Sequence, residues 1–297
     1  MKLLSFGEII FDIYPDKQTL GGAPLNLAAY ATMLGTQSFL ASAIGTDGLG
    51  ALALEEIKAL GIATKYISCS AEKMTGQCLI SLDKNGVPSY EILRDVAYDK
   101  IALPHFPEER FDILAFGTLA LREKHNRAVL SHLLEENKFS EIYTDLNIRA
   151  PYYSKESIDF CLSHSTIAKI SDEELPTVIH ALFEAECDLD TAIHKIIDTY
   201  DNIKLLLITC GKEGAYCFER ETNMLHRCDA VPTKVNSTVG AGDSFGGAFL
   251  AVYHKTKSIP TALRIAAQIS SFVVSRQESI PADAVAFCRK VLADLDS

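Results

Sequence analysis

Apolar runs and amphipathic stretches follow one another along this chain in a regular rhythm. Residues 2–7 (Lys-Leu-Leu-Ser-Phe-Gly) read as a short strand ending at Gly7, and Glu8 to Tyr14 alternates apolar with acidic residues, Asp12 being the last acid. A loop over 15–22 ends in Gly21-Gly22, and Pro24 suits the first position of a helix running to about Leu34, where a missing N–H and a fixed φ do no harm. That helix is apolar on nearly all sides (Leu25, Leu27, Ala28, Ala31, Leu34), which predicts burial. Asn26 in its first turn is the exception. A buried amide needs partners, so Asn26 reads either as a side-chain cap or as an amide aimed at a polar ligand.

A strand over 37–44, the turn Gly45-Thr-Asp47-Gly-Leu-Gly50 and a helix to Leu60 come next. Between about 66 and 95, short alternating segments (Gln77 to Leu82, Ser89 to Leu93) are split by Asp83-Lys-Asn-Gly86, a hairpin signal. This predicts antiparallel sheet inserted in an α/β protein, in the manner of a lid. From residue 110, strands at 113–116, 142–145, 166–170 and 204–208 alternate with helices over 122–136, 153–163, 172–179 and 189–200. Such alternation predicts a mostly parallel sheet sandwiched by helices. Ligands of such sheets lie beyond the carboxyl ends of the strands, which singles out Asp145, Lys169 and Thr209. A second antiparallel patch (215–218, 224–226) precedes helices at about 241–254, 260–275 and 282–294. No repeat or linker divides the chain, so one α/β domain over 1–297 is expected, with a β lid built from about 8–22 and 66–98.

The stretch Val235-Asn-Ser-Thr-Val-Gly-Ala-Gly-Asp-Ser-Phe-Gly-Gly-Ala-Phe-Leu250 carries the clearest chemistry. Phe245, Ala248, Phe249 and Val252 recur at helical spacing, so Gly240 and Gly242 fall where a loop becomes a helix N-terminus. Unpaired N–H groups and the helix dipole favour an anion there. Asp243 in the first turn lies within reach of whatever those amides hold. An anion cradle beside a carboxylate suits phosphoryl transfer to a hydroxyl, with Asp243 taking the proton. A turn followed by an acid that merely stabilises the helix end fits the same stretch.

Composition narrows the field. With 28 Lys+Arg against 39 Asp+Glu the formal charge is -11 and no basic run exists, which argues against a nucleic-acid partner. The eight cysteines form no CxxC pair and no zinc spacing with the histidines. No signal peptide and no membrane-length apolar run are present, so a reducing cytoplasm and no membrane partner are expected. No G-x-x-x-x-G-K-[ST] occurs, and residues 7–20 lack a dinucleotide glycine fingerprint.

Gly21-Gly-Ala-Pro-Leu-Asn-Leu-Ala-Ala-Tyr-Ala-Thr-Met-Leu-Gly35 resembles the N-terminal signature of the ribokinase-like, or PfkB, carbohydrate kinases. Ser237-Thr-Val-Gly-Ala-Gly-Asp243 is similar to their C-terminal signature. Between them stand Gly45-x-Asp47-x-x-Gly50, Asp145-x-Asn147-x-Arg149, Lys169-x-Ser171-x-x-Glu174 and Thr209-x-Gly211-x-x-Gly214, so the resemblance covers the whole chain. It implies a ribokinase-like fold with a β lid over a sugar site. It also implies Asp243 as the base and the amides of Gly240, Ala241 and Gly242 as the anion hole for a γ-phosphoryl group. Asp12, Gly22 and Asn26 match positions that contact sugar hydroxyls, and Arg94 would come from the lid to the sugar. Thr209, Gly211 and Gly214 match a nucleotide loop, and Glu174 an acid that organises Mg²⁺ through water. Arg149 and Lys169 match positions of fructokinase-like members near substrate or phosphate.

Three departures stand out. Ser237 replaces the usual Asp of a monovalent-cation loop, which puts K⁺ activation in doubt; Ser171 replaces the frequent Asn before Glu174; and Gln277-Glu278-Ser279 replaces a Gly-Ala run near the adenine pocket. The expectation is an ATP- and Mg²⁺-dependent fructokinase, binding only a sugar and ATP and pairing as a homodimer through the lid. A kinase for another sugar or sugar acid (2-keto-3-deoxygluconate, ribose, nucleoside) is the alternative within the family. A sugar-binding sensor without catalysis is the alternative outside it.

Overall fold

Strand-forming runs and helical stripes fall nearly where their periods place them. The computed structural model describes residues 1–82, 88–106 and 110–296. The first third contains β1 (Lys2–Phe6), β2 (Ile10–Ile13), β3 (Gln18–Gly21), α1 (Ala23–Met33), β4 (Gln37–Gly45), α2 (Gly48–Ala59), β5 (Ile67–Ser70), β6 (Gly76–Leu82) and β7 (Pro88–Ile92). The middle carries β8 (Ile113–Gly117), α3 (Lys124–Glu136), β9 (Glu141–Asp145), α4 (Lys155–His164), β10 (Ile167–Ser171), α5 (Leu175–Phe183) and α6 (Leu189–Thr199). The last third supplies β11 (Leu205–Thr209), β12 (Ala215–Glu219), β13 (Met224–Cys228), α7 (Ala241–Thr256), α8 (Ile259–Val274) and α9 (Ala284–Asp296).

The large sheet has the order β13-β12-β11-β10-β9-β8-β1-β4-β5. Pairing is parallel from β11 to β5 and antiparallel at the β11–β12–β13 edge. Because successive side chains point to opposite faces, Leu3 joins one apolar layer and Leu4 the other. One layer packs under α3 to α6, the other under α1, α7, α8 and α9. That double coverage explains the unbroken apolar run Leu205-Leu-Leu-Ile208.

The small sheet has the order β3-β2-β6-β7. Its β2–β3 and β6–β7 pairs are antiparallel, whereas β2 and β6 run parallel. The turn Asp83-Lys-Asn-Gly86 lies outside the described residues; the strands flanking it pair as a hairpin should. β5, within the 66–98 stretch expected to form the lid, instead pairs with β4 at the edge of the large sheet. The register Ser42↔Ile67 to Gly45↔Ser70 continues β4 past the reach of β1, so β5 caps an edge that would otherwise stand open.

Helices α1 and α7 touch at backbone distance. A Cβ on Gly247 would strike the Leu27 carbonyl, and one on Gly246 the Tyr143 hydroxyl. Leu25, Leu27, Ala28 and Ala31 are all buried, as the all-round apolar pattern of α1 requires. This approach sets the start of α1 beside the start of α7.

Candidate active site

Gly240 caps α7 with φ +77°, and a Cβ there would lie 2.5 Å from that of Ser279. Backbone strain and lack of space both demand glycine at this position. The Ala241 N–H donates to the Thr238 carbonyl (3.2 Å), so the expected contribution of Ala241 to the anion hole is corrected: its amide closes the entering turn. Among the described residues, the N–H groups of Gly240, Gly242 and Asp243 have no acceptor within the chain. Free donors at a helix end are the setting that favours an anion.

Asp243 is half-buried there, and Asn26 donates from Nδ2 to its Oδ2 at 2.8 Å. Burial pushes the Asp243 carboxyl up to about 6. The Asn26 hydrogen bond pulls it back, Asp145 raises it, and Lys169 and Arg149 lower it. It is therefore ionised at neutral pH and able to take a proton. Asn26, 3% exposed, also accepts from Ser279 Oγ at 3.4 Å, and the Tyr30 hydroxyl donates to the Ser279 carbonyl at 2.7 Å. Ser279, assigned by resemblance to the surroundings of the adenine, thus touches the base-holding amide instead.

Lys169 does not stand at a strand end. β10 continues to Ser171, leaving Lys169 4% exposed and level with Asp145 across the β9–β10 pair. Its Nζ donates to Asp145 Oδ2 at 2.7 Å, so its charge is spent on a buried ion pair. A Cβ on Gly242 would lie 3.1 Å from this Nζ. The ammonium therefore lies directly beneath the anion site and adds positive potential without reaching out of the sheet. Burial works against its charge, but Asp145 and Glu174 outweigh it and raise its proton affinity.

Glu174 spends both oxygens on amides: Oε1 accepts from Ile148 N (2.5 Å) and Oε2 from Ser171 N (2.9 Å). The Ser171 hydroxyl in turn accepts from Glu174 N at 3.2 Å. The pair ties the loop carrying Arg149 to the end of β10. Among the described residues, no cluster of three or more His, Cys, Asp or Glu side chains could hold a metal by itself. A divalent ion would thus depend on phosphate oxygens and water. Asp145 Oδ1 is buried without a hydrogen-bond partner.

On the sugar side, Asp12 is half-buried on β2; burial raises its carboxyl and Arg149 partly offsets that. Gly22 has φ +118°, and a Cβ there would strike the Glu8 carbonyl. Arg149 is exposed, and its charge reaches Glu8, Asp12 and Asp243. Arg94 stacks 5.1 Å from the Tyr152 ring centroid, with Arg122 at 5.4 Å from the same ring. Arg122 is itself buried against Asp99 and the Leu93 carbonyl, which anchors the end of the lid.

Glu8 is the residue that sequence reasoning missed. It is 4% exposed and accepts the Ala23 N–H at 3.3 Å. It shares a cavity of about 20 Å³ with Asp243, Asp145 and Asn147. Burial lifts its carboxyl to about 7, opposed by backbone hydrogen bonding and reinforced by the charge of Asp243. It follows β1 directly, so the strand-end rule that selected Asp145 would have found it.

On the far side of the anion site, Thr209 ends β11, and Gly211 (φ +48°) leaves open space beside its Cα. Gly214 (φ +97°) lies against the Cys228 carbonyl, where a side chain has no room. A groove of about 640 Å³ is lined by Val231, Pro232, Gln268, Phe272, Arg276 and Phe287 among others. Its Val231 wall begins the loop that leads to Gly240. Ser237 closes a turn of that loop, its Oγ accepting from Val239 N at 3.2 Å.

Residues 4–284 match the pfkB family carbohydrate kinase. The chain is 25% identical over 280 residues to a probable fructokinase-5 of Arabidopsis thaliana, covering 86% of this chain and 84% of that one. It is 27% identical over 288 residues to the 2-dehydro-3-deoxygluconokinase of Haemophilus influenzae, covering 89% and 88%. The crystal structure of a fructokinase with bound ATP from Xylella fastidiosa superposes with a TM-score of 0.85 at 21% identity, covering 100% of this chain and 99% of that one. No helix among the described residues is long and apolar enough to cross a membrane.

Proposed function

This chain belongs to the pfkB family of carbohydrate kinases, and on that premise we propose that it transfers the γ-phosphoryl group of ATP to a terminal hydroxyl of D-fructose. The observation that carries the reaction is the Asp243 carboxylate, held by Asn26 at a helix end where, among the described residues, the amides of Gly240, Gly242 and Asp243 have no acceptor within the chain. The acceptor hydroxyl gives its proton to Asp243 as its oxygen bonds to the γ-phosphorus. The bond from that phosphorus to the bridging oxygen breaks, and ADP leaves with the electron pair. The amides of Gly240, Gly242 and Asp243 hold the oxygens of the group in transit, with the Lys169 ammonium beneath them. Bound Mg²⁺ would neutralise charge on the phosphate oxygens, received through water by Asp145 and Glu174. Asp12, Gly22, Asn26 and Arg149 face the sugar, Arg94 steadies the loop above it through Tyr152, and Thr209, Gly211 and Gly214 border the nucleotide.

Fructose is favoured by the fructokinase relatives. A sugar acid is the second reading, supported by the 2-dehydro-3-deoxygluconokinase relative and by the exposed Arg149. The test is ADP release with Mg-ATP across a sugar panel, wild type beside Asp243→Ala. Turnover with fructose that falls by at least about a thousandfold in the variant, while sugar still binds, is expected. Sugar binding without any ADP from the wild type would sink the kinase reading and leave a sensor.

A further inference from the structure

The segment between α8 and α9 meets α1 at two neighbouring points. Asn26 and Tyr30 stand four residues apart on one side of that helix, and Ser279 bonds to both. Its Oγ donates to Asn26 Oδ1 at 3.4 Å, and its carbonyl accepts from the Tyr30 hydroxyl at 2.7 Å. Its Cβ fills the space that a side chain on Gly240 would need. Ser279 and Asn26 are both buried. Behind them, Arg276 clips the segment by pairing with Asp283 at 2.7 Å and stacking on Phe272.

The two ends of an Asn amide are alike in shape, and its partners decide which way it turns. An ionised Asp243 only accepts, so it draws Nδ2 toward itself. That constraint lapses when Asp243 takes the sugar proton, because a protonated carboxyl can also donate to Oδ1. Among the described residues, the donor that reaches Oδ1 is the Ser279 hydroxyl. We propose that Ser279 is a positioning residue, whose hydroxyl occupies Asn26 Oδ1 and keeps the amide turned as a donor to Asp243 throughout the reaction. Asp243 then sheds its proton and meets the next sugar in one orientation. Hydrogen bonds aligned head to tail also polarise one another, so the first strengthens the second. The inference rests on the sugar-kinase reading and deepens it, since Ser279 acts through Asn26 and not on the reacting atoms.

The experiment is a double-mutant cycle of Ser279→Ala and Asn26→Leu, with kcat and KM taken from ADP release with D-fructose and Mg-ATP. Alanine keeps the carbonyl bond to Tyr30 and the packing against Gly240, so the fold is spared. Losing a neutral hydrogen bond should lower kcat about three- to tenfold and leave the KM for ATP unchanged. In the Asn26→Leu background the same substitution should change nothing, because no amide is left to orient. Unchanged kcat, or an equal loss in both backgrounds, overturns the inference. So does a raised KM for ATP at normal kcat, which would give Ser279 to the nucleotide groove.

Exchange of the side-chain amide, followed by NMR, judges the same bond without turnover. The Asn26 Nδ2 protons, identified by their absence from Asn26→Leu, should exchange with water about three- to tenfold faster in Ser279→Ala. An unchanged rate overturns the inference whether or not a sugar is phosphorylated. Absence of ADP from the wild type defeats the fructose reading alone.

Discussion

Replacing Asn26 with leucine tests how the base is kept ready. The 2.8 Å bond from Asn26 Nδ2 reaches an ionised carboxylate that burial has already raised to about 6. A hydrogen bond to a charged group contributes about 1.5–3 kcal/mol, and about 1.4 kcal/mol moves a pKa by one unit. Losing the bond should therefore move the Asp243 titration up by roughly one to two units. At pH 7 the ionised fraction would drop from about nine-tenths to between about a half and a tenth. The assay is kcat/KM from coupled ADP release between pH 5.5 and 9.5. The acid limb of the variant should move to the alkaline side, with the deficit at pH 7 shrinking toward pH 9. Loss of a sugar contact by Asn26 would lower the whole curve without displacing it. An acid limb that stays near its wild-type position would refute the claim that Asn26 holds the base.

Three further outcomes are expected. Lys169→Met leaves Asp145 charged and alone in the sheet, which should cost about 3–5 kcal/mol in urea unfolding; a loss under about 1 kcal/mol would mean that the pair is not closed. Glu8→Gln should stabilise the protein. The folded-state carboxyl titrates at about 7 against 4.5 when free, so the unfolded chain sheds its proton first and wild-type stability falls as pH rises through that window. The gain from glutamine should grow from little at pH 4.5 to about 3 kcal/mol at pH 8, and equal gains at both pH values would contradict it. Gly247→Ala drives a methyl into the Leu27 carbonyl. It should cost about 1–3 kcal/mol and lower kcat well beyond what the lost stability explains, because Asn26 and Asp243 move apart; an active variant of normal kcat would show that the helices can yield.

The order of strands and helices was readable because each is long enough to display its period. What failed were features decided by partners. Lys169 looked like a strand-end residue, yet Ile170 and Ser171 pair onward with Ile208 and Thr209 and draw it inside. β5 carries the same alternation as the lid strands, and only the free edge of β4 determines which sheet it joins. Asn26 and Asp243 each stood out in the sequence, but their mutual bond did not, since nothing local records where α1 crosses α7. The Ala241 amide is lost to a turn that closes on Thr238. Glu8 was absorbed into an alternating run, where its acid looked like the polar half of a pattern.

The partners in the bond from Asn26 to Asp243 lie 217 residues apart, and that separation governs when the molecule becomes competent during its synthesis. Chains emerge from the N-terminus at about 5–20 residues per second, so roughly 10–40 s pass between the appearance of the amide and that of the carboxylate. Throughout that interval the side of α1 that will meet α7, with Leu27 and Ala31, has nothing to cover it. A nascent chain interrupted before residue 240 would therefore carry a sticky helix and no base at all. Docking of α7 removes both deficits in one event, so the step that hides this side of the apolar helix from chaperones and aggregation is also the one that brings the carboxylate to its amide.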